Sequence, residues 1–149
     1  MSFTIKVNTS ELRQYLQGLG TAAEEAAQPA AAAMALVYYE AARSFAPVSK
    51  KSHYFKGKNQ RYGPFAPGNL RDSIYRVYSV DNSRKGVATY HVSYNATKAP
   101  YAAMVEFGTS RAAPHPFIRR AAFSQAVQRQ ALEAGMKELT ERLEAAGAR

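Results

Sequence analysis

The side chains that could carry chemistry in this chain are three histidines and a few isolated carboxylates. The histidines are His53, His91 and His115, and no two of them have the i, i+4 spacing of a helical metal site. Asp72 and Glu106 lie far apart in the chain, and neither belongs to a nucleophile–base grouping. The chain has no cysteine, which excludes disulfides and thiolate metal sites. We therefore expect no catalytic, cofactor-binding or metal site, and no enzymatic activity.

Glu106 is the carboxylate whose position most clearly requires a partner. It stands between Val105 and Phe107 near the end of a short predicted helix, where a negative charge opposes the helix dipole. A partly buried carboxylate needs a charged or hydrogen-bonding partner. We expect it either to fix the turn at Gly108 through a salt bridge or to form a contact between subunits. The residues predicted to share this role are Arg71, Glu106, Arg111 and Arg119.

The whole chain has a net charge of +9, and most of the positive charge lies in its middle third. Residues 49–67 contain no acidic residue, and aromatic side chains are interleaved with the basic ones. Lysine and arginine attract phosphates and aromatic rings stack on bases, so contact with a polyanion is one interpretation. An acidic protein partner and simple solubility are the alternatives. The candidate polyanion contacts are Lys50, Lys51, Lys56, Lys58 and Arg61.

The elements that position these residues follow from hydrophobic periodicity. Residues 3–7 alternate apolar and polar side chains and predict a short strand. A helix capped by Thr9 or Ser10 should follow, and Pro29 predicts a break near Gln28 that divides it into two N-terminal helices. Two prolines and two glycines in residues 49–67 predict a long loop.

Two strands, at residues 74–80 and 87–94, are predicted to form an antiparallel hairpin around the turn at residues 81–86. A short helix at residues 101–107 should stop at Gly108 in a left-handed conformation. Pro116 suits the first position of one long amphipathic helix that reaches about Ala146. The predicted fold class is α+β: a small antiparallel β-sheet covered by two N-terminal helices and a long C-terminal helix. Residues 1–149 should form a single domain with a basic loop insertion at 49–67.

The N-terminus lacks a basic start followed by an apolar core, so we expect no secretory signal. No apolar run approaches the roughly 18 residues of a membrane span, so we expect no membrane contact.

Two blocks of the sequence resemble the tail-completion, or head–tail joining, proteins of long-tailed lambda-like bacteriophages. In that family an alanine-proline pair precedes a Gly-x-Leu-Arg-x-Ser-Ile block, and a Tyr-Ala pair, a glutamate, an aromatic and Gly-Thr precede a Pro-Phe and an arginine. The first block corresponds here to Ala46, Pro47, Gly68, Leu70, Arg71, Ser73 and Ile74. The second corresponds to Tyr101, Ala102, Glu106, Phe107, Gly108, Thr109, Pro116, Phe117 and Arg119.

The chain departs from the family pattern at two places. The basic segment at residues 49–67 intervenes where the family has only a few residues, and Arg120 stands where a proline often follows the arginine. Any role of the basic segment is therefore particular to this chain and cannot be carried over from the family.

The resemblance implies a non-enzymatic structural protein of the virion, present in the host cytoplasm during assembly. Its implied partners are the head connector or stopper, the tail terminator and the tail tube proteins. It would form a homo-oligomeric ring, for which a hexamer matches tail symmetry, and it could remain a monomer in isolation. Contact with packaged DNA through the basic segment is a further hypothesis. The alternative function is a free nucleic-acid-binding protein that uses residues 49–67.

Overall fold

The first described element is a single helix, α1 (Ser10–Phe45), which is 36 residues long. The computed structural model describes residues 10–56 and 61–147, and in it α1 passes through Pro29 without a break. The prediction of two N-terminal helices was therefore wrong. Proline removes one hydrogen bond and crowds one preceding carbonyl, and the flanking alanines, which favour helix, keep the backbone helical on both sides. The strand predicted at residues 3–7 lies outside the described residues.

The continuous helix leads to a test at Pro29. Pro29→Ala restores a backbone donor and relieves the crowded carbonyl, so we expect the free energy of unfolding to rise by about 1–3 kcal/mol. Urea unfolding followed by circular dichroism would measure the change. Pro47→Ala, beyond the end of α1, is the control and should change the free energy by less than about 1 kcal/mol. A break at Gln28 would instead leave Pro29→Ala neutral or destabilising.

The C-terminal region forms two helices, α4 (Ile118–Phe123) and α5 (Gln125–Gly147). Ser124 lies between them with an extended backbone (φ −71°, ψ 117°), so the prediction of one helix starting at Pro116 was wrong. The Ser124 hydroxyl accepts the backbone N–H of Val127 at 3.5 Å, which is the bond that a serine makes as an N-cap. Serine thus starts a second helix where the apolar periodicity alone suggested continuity.

Helix α5 runs antiparallel to α1 along most of that helix, from the region of Phe45 beside Val127 to that of Tyr15 beside Gly147. Gly135 packs against Met34 of α1, and an added Cβ atom would lie 2.6 Å from Cγ of Met34. At the far end, an added Cβ at Gly147 would lie 3.7 Å from the hydroxyl of Tyr15. Small residues therefore let the two helices pack tightly, rather than fraying α5. No helix in the described ranges is long and apolar enough to cross a membrane.

Two small antiparallel sheets complete the fold, rather than the one sheet predicted. Strands β1 (His53–Lys56) and β2 (Arg61–Phe65) form one hairpin, and β3 (Ile74–Tyr78) and β4 (Tyr90–Tyr94) form the other. The second hairpin confirms the prediction for that region. The first corrects the prediction that residues 49–67 form a loop without regular structure. The mixed helix and sheet class is as expected.

Two short helices, α2 (Asn69–Ser73) and α3 (Ala102–Phe107), connect the hairpins to the core. The core lies where the C-terminal end of α1 meets α2, β3, α3 and α4. Five of its nine buried members are alanines, so the elements approach closely around a few large side chains. The nine are Ala42, Ala46, Leu70, Ile74, Ala99, Tyr101, Ala102, Phe117 and Ala121.

Candidate functional site

The buried carboxylate of Glu106 connects the end of α3 to the beginning of α4. The residue is only 2% exposed. Its Oε2 accepts the backbone N–H groups of Phe117 at 2.7 Å and Ile118 at 3.0 Å, and its Oε1 accepts that of Arg119 at 2.9 Å. These are among the first N–H groups of α4, which have no partner within the helix. A side chain eleven residues upstream of Phe117 therefore caps this helix.

Arg119 closes the same contact from the other side. Its Nε donates to Oε1 of Glu106 at 3.1 Å, and its Nη2 donates to the Glu106 backbone carbonyl at 2.7 Å. That carbonyl is one of the last in α3, so the guanidinium satisfies a helix C-terminus as well as the carboxylate. The guanidinium carbon also lies 4.8 Å from the ring centroid of Phe107. One ion pair thus holds two helix ends together.

The electrostatics of the site favour an ionised Glu106. Burial alone would raise the pKa of this carboxyl. The backbone hydrogen bonds from Arg119, Phe117 and Ile118, with the side-chain bond from Arg119, outweigh burial and hold the pKa below its usual range. Such a group stabilises the native protein when it is ionised, so its contribution is present at neutral pH and is lost as pH falls through the lowered native pKa.

The turn between the two helices depends on Gly108. As predicted, α3 stops at this glycine with a positive φ of 77°, but its ψ of 179° is extended rather than left-handed helical. An added Cβ would lie 2.8 Å from the Pro114 nitrogen and 2.9 Å from the Ala112 carbonyl oxygen. The backbone N–H of Thr109 donates to that same carbonyl at 2.8 Å. The chain folds back so closely here that a side chain has no room.

Two arginines predicted to share the Glu106 site lie elsewhere. Arg71 donates from its Nε to Oδ1 of Asp72 at 3.0 Å, and Arg43 reaches the same oxygen at 3.1 Å. Arg111 is exposed in the turn after Gly108, where its backbone N–H donates to the Thr109 hydroxyl at 3.3 Å. Neither side chain pairs with Glu106, so the prediction that they fix the turn by a salt bridge to Glu106 was wrong. A role for them at a subunit contact stays a prediction.

The basic residues occupy an outward face of the β1–β2 hairpin. Lys56 and Arg61 are directly opposite each other, and the Arg61 guanidinium carbon lies 3.6 Å from the ring centroid of Tyr54. All three side chains are exposed, and we call them the basic face. Like charges opposite each other on a sheet are destabilising, so the basic face favours an anionic neighbour. Lys50 and Lys51 are exposed just before the hairpin, and Lys58 lies outside the described residues.

The other face of this hairpin is an aromatic cluster that sequence reasoning missed. Phe55 stacks on Tyr101 with ring centroids 4.7 Å apart, and Phe65 meets the same ring edge-on at 4.9 Å. His53 joins them, 5.1 Å from Tyr101. The alternation of His53 and Phe55 was the available signal, but the prolines and glycines of residues 49–67 obscured it.

In the described part of the chain, no cluster of three or more histidine, aspartate or glutamate side chains could hold a metal ion. The polar arrangement with the most hydrogen bonds at one side chain there is the Glu106–Arg119 contact, which positions α3 relative to α4. Searches against protein-family models, curated proteins and solved structures found no match.

Proposed function

We propose that this protein is a structural subunit of a bacteriophage particle, located at the junction between head and tail. The supporting observation is that the two sequence blocks that resemble tail-completion proteins meet in one core. Ala46, Leu70 and Ile74 of the first block belong to the same buried cluster as Tyr101, Ala102 and Phe117 of the second. Residues separated by up to about seventy positions would have little reason to share a family pattern unless they fold against each other.

The surface next to the Glu106 site supports docking. Met104 and Phe107 on α3 and Phe123 at the end of α4 are large apolar side chains that remain exposed. Met104 and Phe107 are one turn apart on α3, and exposed apolar side chains grouped on one helix are a feature of protein–protein contacts. Because the Glu106–Arg119 pair fixes α3 relative to α4, these side chains are presented on a rigid frame. We propose that they contact a neighbouring subunit, the head connector or stopper, the tail terminator, or the tail tube.

A ring of identical subunits is the assembly that this proposal requires, with six copies favoured because they match tail symmetry. Rings use heterologous contacts, in which two different patches of the subunit meet. The protein would be monomeric or weakly associated in the host cytoplasm and would assemble in the virion.

The basic face favours a second candidate, a free nucleic-acid-binding protein. A cationic pair opposite each other, with a tyrosine ring under the arginine, matches the combination of phosphate attraction and stacking that binds single strands. This candidate predicts binding by the isolated monomer with strong salt dependence. The structural proposal predicts weak DNA binding in solution.

Electron microscopy of particles made without this protein tests the structural proposal. Separate heads and tails are expected, and normally joined particles would contradict it.

Complementation with a variant in which Lys50, Lys51, Lys56 and Arg61 are changed to glutamine then examines the basic face. We expect DNA retention to fall by several-fold if this face meets packaged DNA, because each lost phosphate contact weakens binding. Failed joining with unchanged retention would instead assign the face to an acidic protein neighbour.

The matched control changes four other exposed basic residues to glutamine, which lowers the net charge from +9 to +5 just as the first variant does. These residues are Arg84, Lys98, Arg129 and Lys137. Equal effects of the two variants would show that total charge, and not the basic face, is responsible. Tight, salt-sensitive DNA binding by the isolated protein with normal particle assembly would favour the second candidate.

A further inference from the structure

An open apolar groove lies between α1, β4 and α4. It has a volume of about 430 Å³ and is bounded by small or apolar side chains from all three elements. The side chains used below are Ala31, Met34, Ala42, Tyr90, Val92 and Ala122. Such a groove is long enough for several side chains in a row, so its occupant should be an extended segment rather than a single residue.

The groove runs beside a strand edge whose backbone groups lack a sheet partner in the described chain. Strand β4 pairs only with β3 there, in a register that places Tyr90 opposite Tyr78 and Val92 opposite Arg76. The N–H of Ser79 donates to the Thr89 carbonyl, and the N–H of Asn95 donates to the Ser73 carbonyl. These two hydrogen bonds fix which residue pairs of β3 and β4 are hydrogen-bonded. Antiparallel strands alternate between bonded and non-bonded pairs. Tyr90 and Val92 therefore direct their N–H and C=O groups away from β3.

Within the described ranges, the same two residues thus present backbone groups without a sheet partner at the edge and side chains in the groove. A strand added at this edge would bond to Tyr90 and Val92 and place every second side chain in the groove. The occupant should therefore be an alternating segment with apolar residues at a period of two. Residues 3–7, with Phe3, Ile5 and Val7 separated by Thr4 and Lys6, have this pattern.

The chain's own copy of that segment is too far away. Fully extended, residues 3–9 span about 24 Å from Ser10. The α1 wall of the groove begins at Ala31 and extends to Ala42, about 32–48 Å from Ser10 along the helix axis. The segment cannot lie along β4 of the chain to which it belongs while α1 is continuous.

We propose that the α1–β4–α4 groove receives residues 3–7 of a second copy of this chain, which add a third strand to the β3–β4 sheet. Donor segment and acceptor groove are different surfaces, so each copy gives one strand and receives another. This arrangement is the heterologous, head-to-tail contact from which closed rings are built. Strand exchange of this kind would provide the contact between copies that the proposed ring needs. It does not require the protein to belong to a phage particle.

Cysteine cross-linking tests the proposal, since the natural chain has no cysteine. One chain carries Val92→Cys, and a second carries a single cysteine at position 3, 4, 5, 6 or 7. The two are mixed and oxidised, and the cross-linked pairs are measured by mass spectrometry. Opposed residues on one face of neighbouring strands bring their Cβ atoms within disulfide reach. One of positions 3, 5 and 7, the one that lies opposite Val92, should therefore give about five-fold or more mixed dimer than positions 4 and 6.

A chain that carries Val92→Cys together with the donor cysteine that gave the most mixed dimer distinguishes strand exchange between copies from docking within one copy. Dimers and a ladder of higher oligomers are expected, whereas a cross-linked monomer would overturn the second-copy proposal.

Ala122→Glu, at the rim of the groove, should reduce the mixed dimer about ten-fold, because a charge would face the apolar segment. Ala145→Glu, exposed near the end of α5 and outside the groove, is the control and should not. No mixed dimer, or equal yields at positions 3–7, would also overturn the proposal. All these experiments use the isolated protein, so their failure leaves the particle experiment unaffected.

Discussion

Glu106→Ala is expected to lower the free energy of unfolding by about 3–5 kcal/mol, because three backbone N–H groups and a guanidinium lose their acceptor together. The loss should be large because the site is buried and Phe117, whose N–H is freed, belongs to the core. Urea unfolding at neutral pH would measure it. The control is Glu138→Ala, which removes an exposed pair with Arg142 and should cost no more than about 1 kcal/mol. A cost below about 1 kcal/mol for Glu106→Ala would contradict the capping role.

The same variant gives a pH dependence with a definite sign. The native pKa of Glu106 lies below its usual value of 4.5, so the native state holds the ionised form more tightly than the unfolded state does. The carboxylate's contribution is therefore complete above about pH 4.5 and is lost as pH falls through the lowered native pKa. We expect the difference in unfolding free energy between the natural protein and Glu106→Ala to shrink on acidification. A difference that is constant from pH 7 to pH 3 would show that the charge is not the stabilising feature.

Gly108→Ala is expected to lower the free energy of unfolding by about 3 kcal/mol or more. A non-glycine residue with positive φ and extended ψ costs about 1–3 kcal/mol in backbone strain alone. The added methyl would also meet two backbone atoms, at Pro114 and Ala112, closer than any real Cβ contact. Because backbone cannot move aside as a flexible side chain can, the turn itself must shift. Thermal or urea unfolding would measure the loss.

The matched control has the opposite sign. Gly20 lies in α1 with nothing within 4 Å of its would-be Cβ, so Gly20→Ala should stabilise the protein by up to about 1 kcal/mol. If Gly108→Ala were equally harmless, the close approach of the turn would be excluded. A folded Gly108→Ala protein that no longer assembles would show that the turn orients the docking surface of α3 and α4.

The sequence was most informative where one local signal decided the structure. The alternation in residues 74–94 predicted the β3–β4 hairpin, and the Phe107–Gly108 step predicted where α3 ends. Local signals failed where packing across the chain decided the outcome. Pro29 would favour a break in an isolated helix, but the packing of α5 against Met34, together with the flanking alanines, keeps α1 continuous. The prolines and glycines of residues 49–67 predicted a loop, but Tyr101 supplies a ring on which Phe55 and Phe65 pack.

The candidate site could be predicted in part. A carboxylate between apolar neighbours requires compensation, which predicted a partner for Glu106, and Arg119 was one of the three arginines proposed for that role. Three of the partners of Glu106 are backbone N–H groups of α4, and any residue could supply those, so their identity has no sequence signature. Arg71 was wrongly assigned to Glu106, because its side chain forms an ion pair with the adjacent Asp72 instead.

The antiparallel pairing of α1 and α5 divides the protein into parts that unfold at different free energies. Away from the core, the pair buries small residues such as Ala26, Ala131 and Gly135, and these contribute little apolar area. Its far end, near Tyr15 and Gly147, should therefore open locally long before the core around Phe117 does. A partner that binds this end could therefore change its conformation without unfolding the rest of the protein. The contact between α3 and α4 at Glu106 would keep its geometry during such binding.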